Sequence, residues 1–166
     1  ATREVLLTAG ALATPAIMTS EKTAQELYGL PDIACLDMGD FAGGVLKYLR
    51  AHPLPRLTIA GGFAKLSKLA QGALDLHSGR SQVDMEWFAE KAGPDVNQSL
   101  RERILSANTA LEVLELTRQA GIDLPAIVAE DARRTALETL RGAPIEVDIL
   151  VTDRKGNILA RTAIDD

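Results

Sequence analysis

Leu57-Thr58-Ile59-Ala60-Gly61-Gly62-Phe63-Ala64-Lys65-Leu66-Ser67-Lys68-Leu69-Ala70-Gln71 is the stretch whose reading decides the fold. Leu57–Ala60 is almost continuously apolar and only strand-long, as expected of a strand covered on both faces. Two glycines then punctuate the chain. From Ala64 the pattern changes period: Leu66, Leu69, Ala70, Ala73 and Leu74 recur at spacings of three and four, which predicts a helix over 64–76. Lys65, Ser67, Lys68, Gln71 and Asp75 fall on its polar side. A short buried strand, a glycine turn and an amphipathic helix make one strand–loop–helix unit.

Two more such units precede it. Val5–Thr8 reads as a strand, and Ser20 as the cap of a helix over 21–28 that stops at Gly29 and Pro31. Ile33–Leu36 reads as a second strand, followed by Asp37-Met38-Gly39-Asp40 and a helix over 41–50. Pro53 and Pro55 separate that helix from Leu57. Repeated strand–helix units predict a parallel sheet joined by right-handed crossovers. Downstream, helices are expected over 83–92, over 96–120 with a break near Ser106–Asn108, and over 126–140. Ile145, Val147, Ile149 and Val151 alternate with Glu146, Asp148 and Leu150. A turn at 153–157 and a return strand over 158–162 then predict a hairpin. The expected fold is therefore α/β: a mainly parallel, Rossmann-like sheet with flanking helices and a C-terminal antiparallel hairpin, forming a single domain over 1–166.

Composition bounds the function. The net charge of −5 argues against general nucleic-acid binding. No apolar run approaches the roughly 20 residues that span a bilayer. Cys35 is the single cysteine, so an intramolecular disulfide or a multi-cysteine zinc cluster is excluded, and with His52 and His77 the sole histidines no metal site is expected. One thiol and no visible export signal point to a reducing cytoplasm. The charge is uneven, however. Residues 41–80 hold Lys47, Arg50, Arg56, Lys65, Lys68 and Arg80 against the lone acid Asp75. A basic zone in an acidic chain suits a small anionic ligand better than a polymer, although an ordinary solvated surface would look the same.

In parallel sheets, ligands gather beyond the carboxyl ends of the strands. Here those ends lead into Asp37–Asp40 and Gly61-Gly62. Lys65 and Lys68, read in or near the first turn of a helix, sit where free N–H groups already make the surroundings positive, an arrangement that an anion would relieve. The glycines would let its oxygens approach the backbone. Asp75-Leu76-His77-Ser78-Gly79-Arg80-Ser81 crowds polar groups around one glycine. His77 could carry a proton and Arg80 could grip a carboxylate at two points, while helix capping is the competing reading for Asp75, His77 and Ser81. Asp40 could cap the helix that follows it, and Asp37 could bond a ligand hydroxyl or amine. No Gly-x-x-x-x-Gly-Lys-Ser/Thr, Gly-x-Gly-x-x-Gly or Gly-x-Ser-x-Gly pattern follows a strand, which argues against a nucleotide triphosphate loop, a nucleotide-dependent oxidoreductase and a serine hydrolase.

Asp37-Met38-Gly39-Asp40-Phe41, Leu46-Lys47-Tyr48-Leu49, the run Ile59–Gly72 and Asp75-Leu76-His77-Ser78-Gly79-Arg80-Ser81 follow one another in an order that resembles the CbiD family of cobalt-precorrin-5B C(1)-methyltransferases. The resemblance is dense over residues 19–92 and looser from Ala107-Asn108-Thr109-Ala110 to the hairpin. It implies transfer of a methyl group from S-adenosylmethionine to ring carbon 1 of a cobalt-bound, polycarboxylated corrinoid. It further implies Lys65, Lys68, Ser78 and Arg80 as substrate-binding residues. The methyl donor could lie over Gly39 and Asp40 or over Gly61 and Gly62, and His77 or Asp37 could tune the reacting carbon. Family members carry a further amino-terminal portion, so this chain is expected to be the carboxyl-terminal part of a longer enzyme. Its expected partners are the anionic corrinoid, that amino-terminal domain, and further copies of the same enzyme. The competing expectation is a binding domain that turns over nothing by itself.

Overall fold

The computed structural model describes residues 4–9, 15–79, 82–94 and 96–162. In chain order the elements are β1 (Glu4–Ala9), α1 (Pro15–Tyr28), β2 (Cys35–Gly39), α2 (Ala42–Ala51), β3 (Arg56–Gly62), α3 (Phe63–Ala70), α4 (Met85–Lys91), α5 (Gln98–Leu105), α6 (Ala110–Gln119), α7 (Leu124–Leu140), β4 (Glu146–Thr152) and β5 (Ile158–Arg161). The strands form one sheet in the order β2-β1-β3-β4-β5. β1 pairs parallel with β2 and β3, β3 pairs parallel with β4, and β5 returns antiparallel to β4. The α/β class and the C-terminal hairpin expected from the sequence are both present.

Helices cover both faces. Leu57, Ile59, Val147, Ile149 and Val151 join the main core with residues of α2, α3, α6 and α7. On the other face Ala60 and Leu150 pack with Ala24 of α1, with Tyr28, Leu30 and Cys35 beside them. That face also buries a carboxyl group. Asp148, wholly inaccessible, accepts hydrogen bonds from Thr58 Oγ1 at 2.6 Å and from the Tyr28 hydroxyl at 2.5 Å. Burial, and then the Asp148 carboxylate, push the Tyr28 hydroxyl far above its ordinary pKa, against a counteracting Arg161. The alternating pattern of β4 therefore leaves no wet face: every residue from Val147 to Thr152 is buried.

The boundaries that differ from the sequence reading have local causes. α1 begins at Pro15, so Ser20 lies inside the helix; proline suits a first helical turn because its missing N–H has no partner there anyway. α3 ends at Ala70, six residues before the expected stop. Gly72 takes φ +90°, its N–H donates to Leu69 O, and Ala73 N–H donates to Lys68 O, so a left-handed glycine closes the helix. Ala73 and Leu74 still reach the core, from a loop. The expected 96–120 helix is two helices. Thr109 caps α6 by accepting from Glu112 N–H at 3.2 Å, and the Glu112 carboxylate reaches back to Asn108 N–H at 2.9 Å. Asp84 caps α4 and Asp123 caps α7.

Candidate functional site

β3 and β4 end side by side, with Gly61 opposite Val151 and Gly62 opposite Thr152. Gly62 is extended at φ −70°, and α3 starts directly after it without a side-chain cap. A methyl group built on Gly62 would meet nothing within 4 Å, so the space in front of this backbone is open. First-turn N–H groups of a helix have no intrahelical acceptor. A cavity of about 430 Å³ opens here. Gly62 to Lys65 form one wall and Leu111 and Leu114 of α6 another, and the hairpin closes it with residues 152–155, Asn157 and Leu159.

The hairpin turn is rigidly made. The Asp153 carboxylate accepts from Lys155 N–H at 2.7 Å, from Asn157 N–H at 2.9 Å and from Asn157 Nδ2 at 2.8 Å. Partial burial raises the Asp153 pKa, but the bonds from Asn157, Lys155 and Gly156 outweigh it and hold the carboxyl below its usual range. Thr23 Oγ1 donates to Gly156 O at 2.8 Å and ties the turn to α1. Across the turn lies an open groove of about 870 Å³ between α1 and residues 155–157.

The two lysines behave differently from solvated charges. Lys65 pairs with Asp40 and donates to Leu76 O at 3.1 Å; Lys68 donates to the same carbonyl at 3.0 Å. Lys68 is 8% exposed and lies in the last turn of α3, where positive charge complements the helix dipole, so it is neither at the helix start nor on a wet face. Burial, and then the Lys65 charge, push its pKa down, opposed by Asp40 and Asp75. Ser67, read on the polar side, is fully buried and bonds back to Phe63 O. The lysines thus hold the loop that follows α3, and Lys65 also lines the cavity.

The remaining sequence-predicted residues are distributed around this point. Asp40 is engaged by Lys65, and Phe41, not Asp40, occupies the cap position of α2. Leu76 N–H donates to Asp40 O at 2.8 Å, which brings the 75–79 loop against the end of β2. Asp37 accepts from Gly39 N–H at 2.8 Å, in a turn where Gly39 has φ +55°. Asp75 accepts from His77 N–H, and His77 Nδ1 accepts from Gly79 N–H, so both side chains shape the loop while His77 and Ser78 stay exposed. Arg80 and Ser81 lie outside the described residues. Among the described residues the basic zone does not gather into one patch: Lys47 and Arg50 lie on α2, and Arg56 pairs with Glu146. Sequence reasoning missed the hairpin turn and α6 as walls of the site. The available signal was the turn after β4, a strand whose carboxyl end borders that of β3.

Among the described residues no group of three or more His, Cys, Asp or Glu could hold a metal ion. None of the described helices is long and apolar enough to cross a membrane. Residues 75–163 match the family model described as CbiD, C-terminal domain. This chain belongs to the CbiD family. It is 70% identical over 146 residues to proteins of Brucella ovis, Brucella canis and Brucella suis, each named cobalt-precorrin-5B C(1)-methyltransferase. The matches cover 86% of this chain and 39% of each relative, so the chain spans well under half the length of these CbiD proteins. No solved structure matches it.

Proposed function

We propose that this chain is the carboxyl-terminal part of an enzyme that methylates ring carbon 1 of cobalt-precorrin-5B with S-adenosylmethionine. The observation that carries the reading is the 70% identity to proteins bearing that activity in their names. The geometry supports it in kind. The sheet is used in the Rossmann-like way, with ligands beyond the carboxyl ends of its strands. Gly61, Gly62 and the open first turn of α3 fit the carboxylate and backbone-sized groups of a methionine moiety, with Gly39 and Asp40 at the end of β2, on the far side of β1. S-adenosylmethionine supplies the methyl group, already activated on sulfur. Lys65, Ser78 and Arg80 are the substrate-side residues in this reading, Lys68 serves through the loop it holds, and His77 and Asp37 lie on the loops that would border the reacting carbon.

Methyl transfer to carbon rewards alignment, and fixed geometry can contribute several kcal/mol, up to about 7–11. The rigid elements around the cavity, namely the Asp153 turn, the glycine-started helix and the lysine-held loop, serve that purpose. The chain joined to the remaining portion that its relatives carry, incubated with S-adenosylmethionine and the cobalt precursor, should add one methyl group at ring carbon 1 by mass spectrometry. No mass gain would reject the reading.

A second reading follows from the 39% coverage. By itself the chain would bind a ligand, or the amino-terminal domain, without turnover. Calorimetry of the isolated chain with each ligand, beside an activity assay, separates the two readings, because turnover by the isolated chain contradicts the second.

A further inference from the structure

The cavity at the start of α3 does not end at α6. It shares Leu111, Leu114, Asp153 and Leu159 with a second cavity of about 490 Å³ that runs on to the α6–α7 connection. The two make one continuous groove with an aliphatic floor. Leu111 and Leu114 lie three residues apart on one face of α6, and Leu159 comes from the edge strand beside it. Leu111 is 36% exposed, and Leu114 and Leu159 pack on the main core from its margin.

The groove's charged side chains differ in how far the fold engages them. Its acids are all engaged within the fold: Asp153 by the turn, Asp123 by the N–H of Ala126, Glu115 by Arg118 and Gln119. Lys65 is paired with Asp40. Arg154 and Lys155, both exposed, are lining residues whose side chains have no hydrogen bond or ion pair among the described residues. The floor is apolar, and the charged side chains on its rim that no described residue engages are the two cations Arg154 and Lys155.

We infer that this groove is the platform for the flat face of a polycarboxylated macrocycle, with the ring on Leu111, Leu114 and Leu159 and its peripheral carboxylates on Arg154 and Lys155. The inference rests on the methyltransferase reading and adds where the substrate lies. The ring then reaches the start of α3 from the hairpin side, while the methyl donor occupies the strand ends around Gly62. An apolar disc edged with carboxylates matches both properties of the groove, whereas a small dicarboxylate uses only the rim.

The test is titration of the chain, joined to the remaining portion that its relatives carry, with a cobalt corrin bearing free carboxylates, followed by the corrin's visible absorption, with S-adenosylmethionine and succinate titrated in parallel by calorimetry. Leu111→Gln should weaken corrin binding about tenfold, the loss expected from one partly buried leucine contact. Leu111→Met should keep it. Leu105→Gln, on an exposed leucine of α5 outside the groove, should not change it. Arg154→Ala with Lys155→Ala should weaken it and flatten its salt dependence. S-adenosylmethionine affinity should stay constant throughout. Corrin should also slow amide exchange along α6 in the native chain, a readout that needs no variant. Native affinity in Leu111→Gln, an equal loss in Leu105→Gln, or succinate binding as tightly as corrin would each overturn the platform while leaving the methyltransferase reading intact. Failure of the chain joined to the remaining portion that its relatives carry to bind either corrin or S-adenosylmethionine would overturn both.

Discussion

Lys65 and Lys68 show what a single side chain can do that its spacing does not disclose. Both were legible as paired cations beside a glycine turn. Their direction was not, because it depends on where α3 stops, and one left-handed glycine sets that point. Lys65→Met strips the Asp40 carboxylate, whose side chain is 12% exposed, of its ion-pair partner and should cost about 1–3 kcal/mol in urea denaturation. Lys68→Met removes an ammonium that burial already disfavours and leaves Leu76 O bonded to Lys65, so it should stay within about 1 kcal/mol of native. Joint replacement of the two should loosen the 71–79 loop, so it is not a surface-neutral change. The pH dependence has a definite sign. With its folded pKa lowered, Lys68 opposes folding below that value, and the penalty lifts as pH rises through it toward the ordinary value of about 10.4. The stability of Lys68→Met relative to native should therefore fall between pH 7 and pH 10. A relative stability that rises over that range would contradict the burial argument.

At the scale of elements, turns and loops carry the site, and packing decides what they tolerate. Gly43, in the first turn of α2, donates to Leu74 O at 2.9 Å, and a Cβ there would stand 2.8 Å from Leu74 Cβ. Gly43→Ala should cost about 1–3 kcal/mol by forcing α2 from the 71–76 loop. Gly62→Ala meets open space at an ordinary φ and should cost less than about 1 kcal/mol. If Gly62 fronts the methyl donor, that same variant should bind it more weakly, which calorimetry beside a melting curve would show. Asp153→Ala should speed amide exchange at Lys155 and Asn157, with Asp153→Asn recovering part of the protection. Since the Asp153 carboxyl titrates below the usual value of about 3.9, its contribution is complete above that pH and disappears as pH falls through the lowered value. The strand–turn–helix grammar of these elements was readable in Leu57–Gln71. The partnership of the hairpin turn with α6 was not, because no local pattern states which loops a sheet brings together.

Over the whole molecule, the parallel strand–helix units and the C-terminal hairpin were visible in composition and period, whereas the strand order was not, because no local pattern says which strand lies beside which. The burial of Asp148 was not: an acid at an alternating position reads as solvent-facing until Tyr28 and Thr58, on two other elements, are brought to it. Tyr28→Phe removes one of its two donors and should cost about 1.5–3 kcal/mol, the range for a hydrogen bond to a charged group. The Thr58–Asp148 contact also joins residues 90 positions apart in the sequence. A ribosome adds roughly 5–20 residues each second, so β3 emerges about 5–20 seconds before β4 can pair with it. For that interval a nascent chain holds an apolar strand with one bare margin, which makes the slow arrival of the hairpin a period when a chaperone has something to grasp.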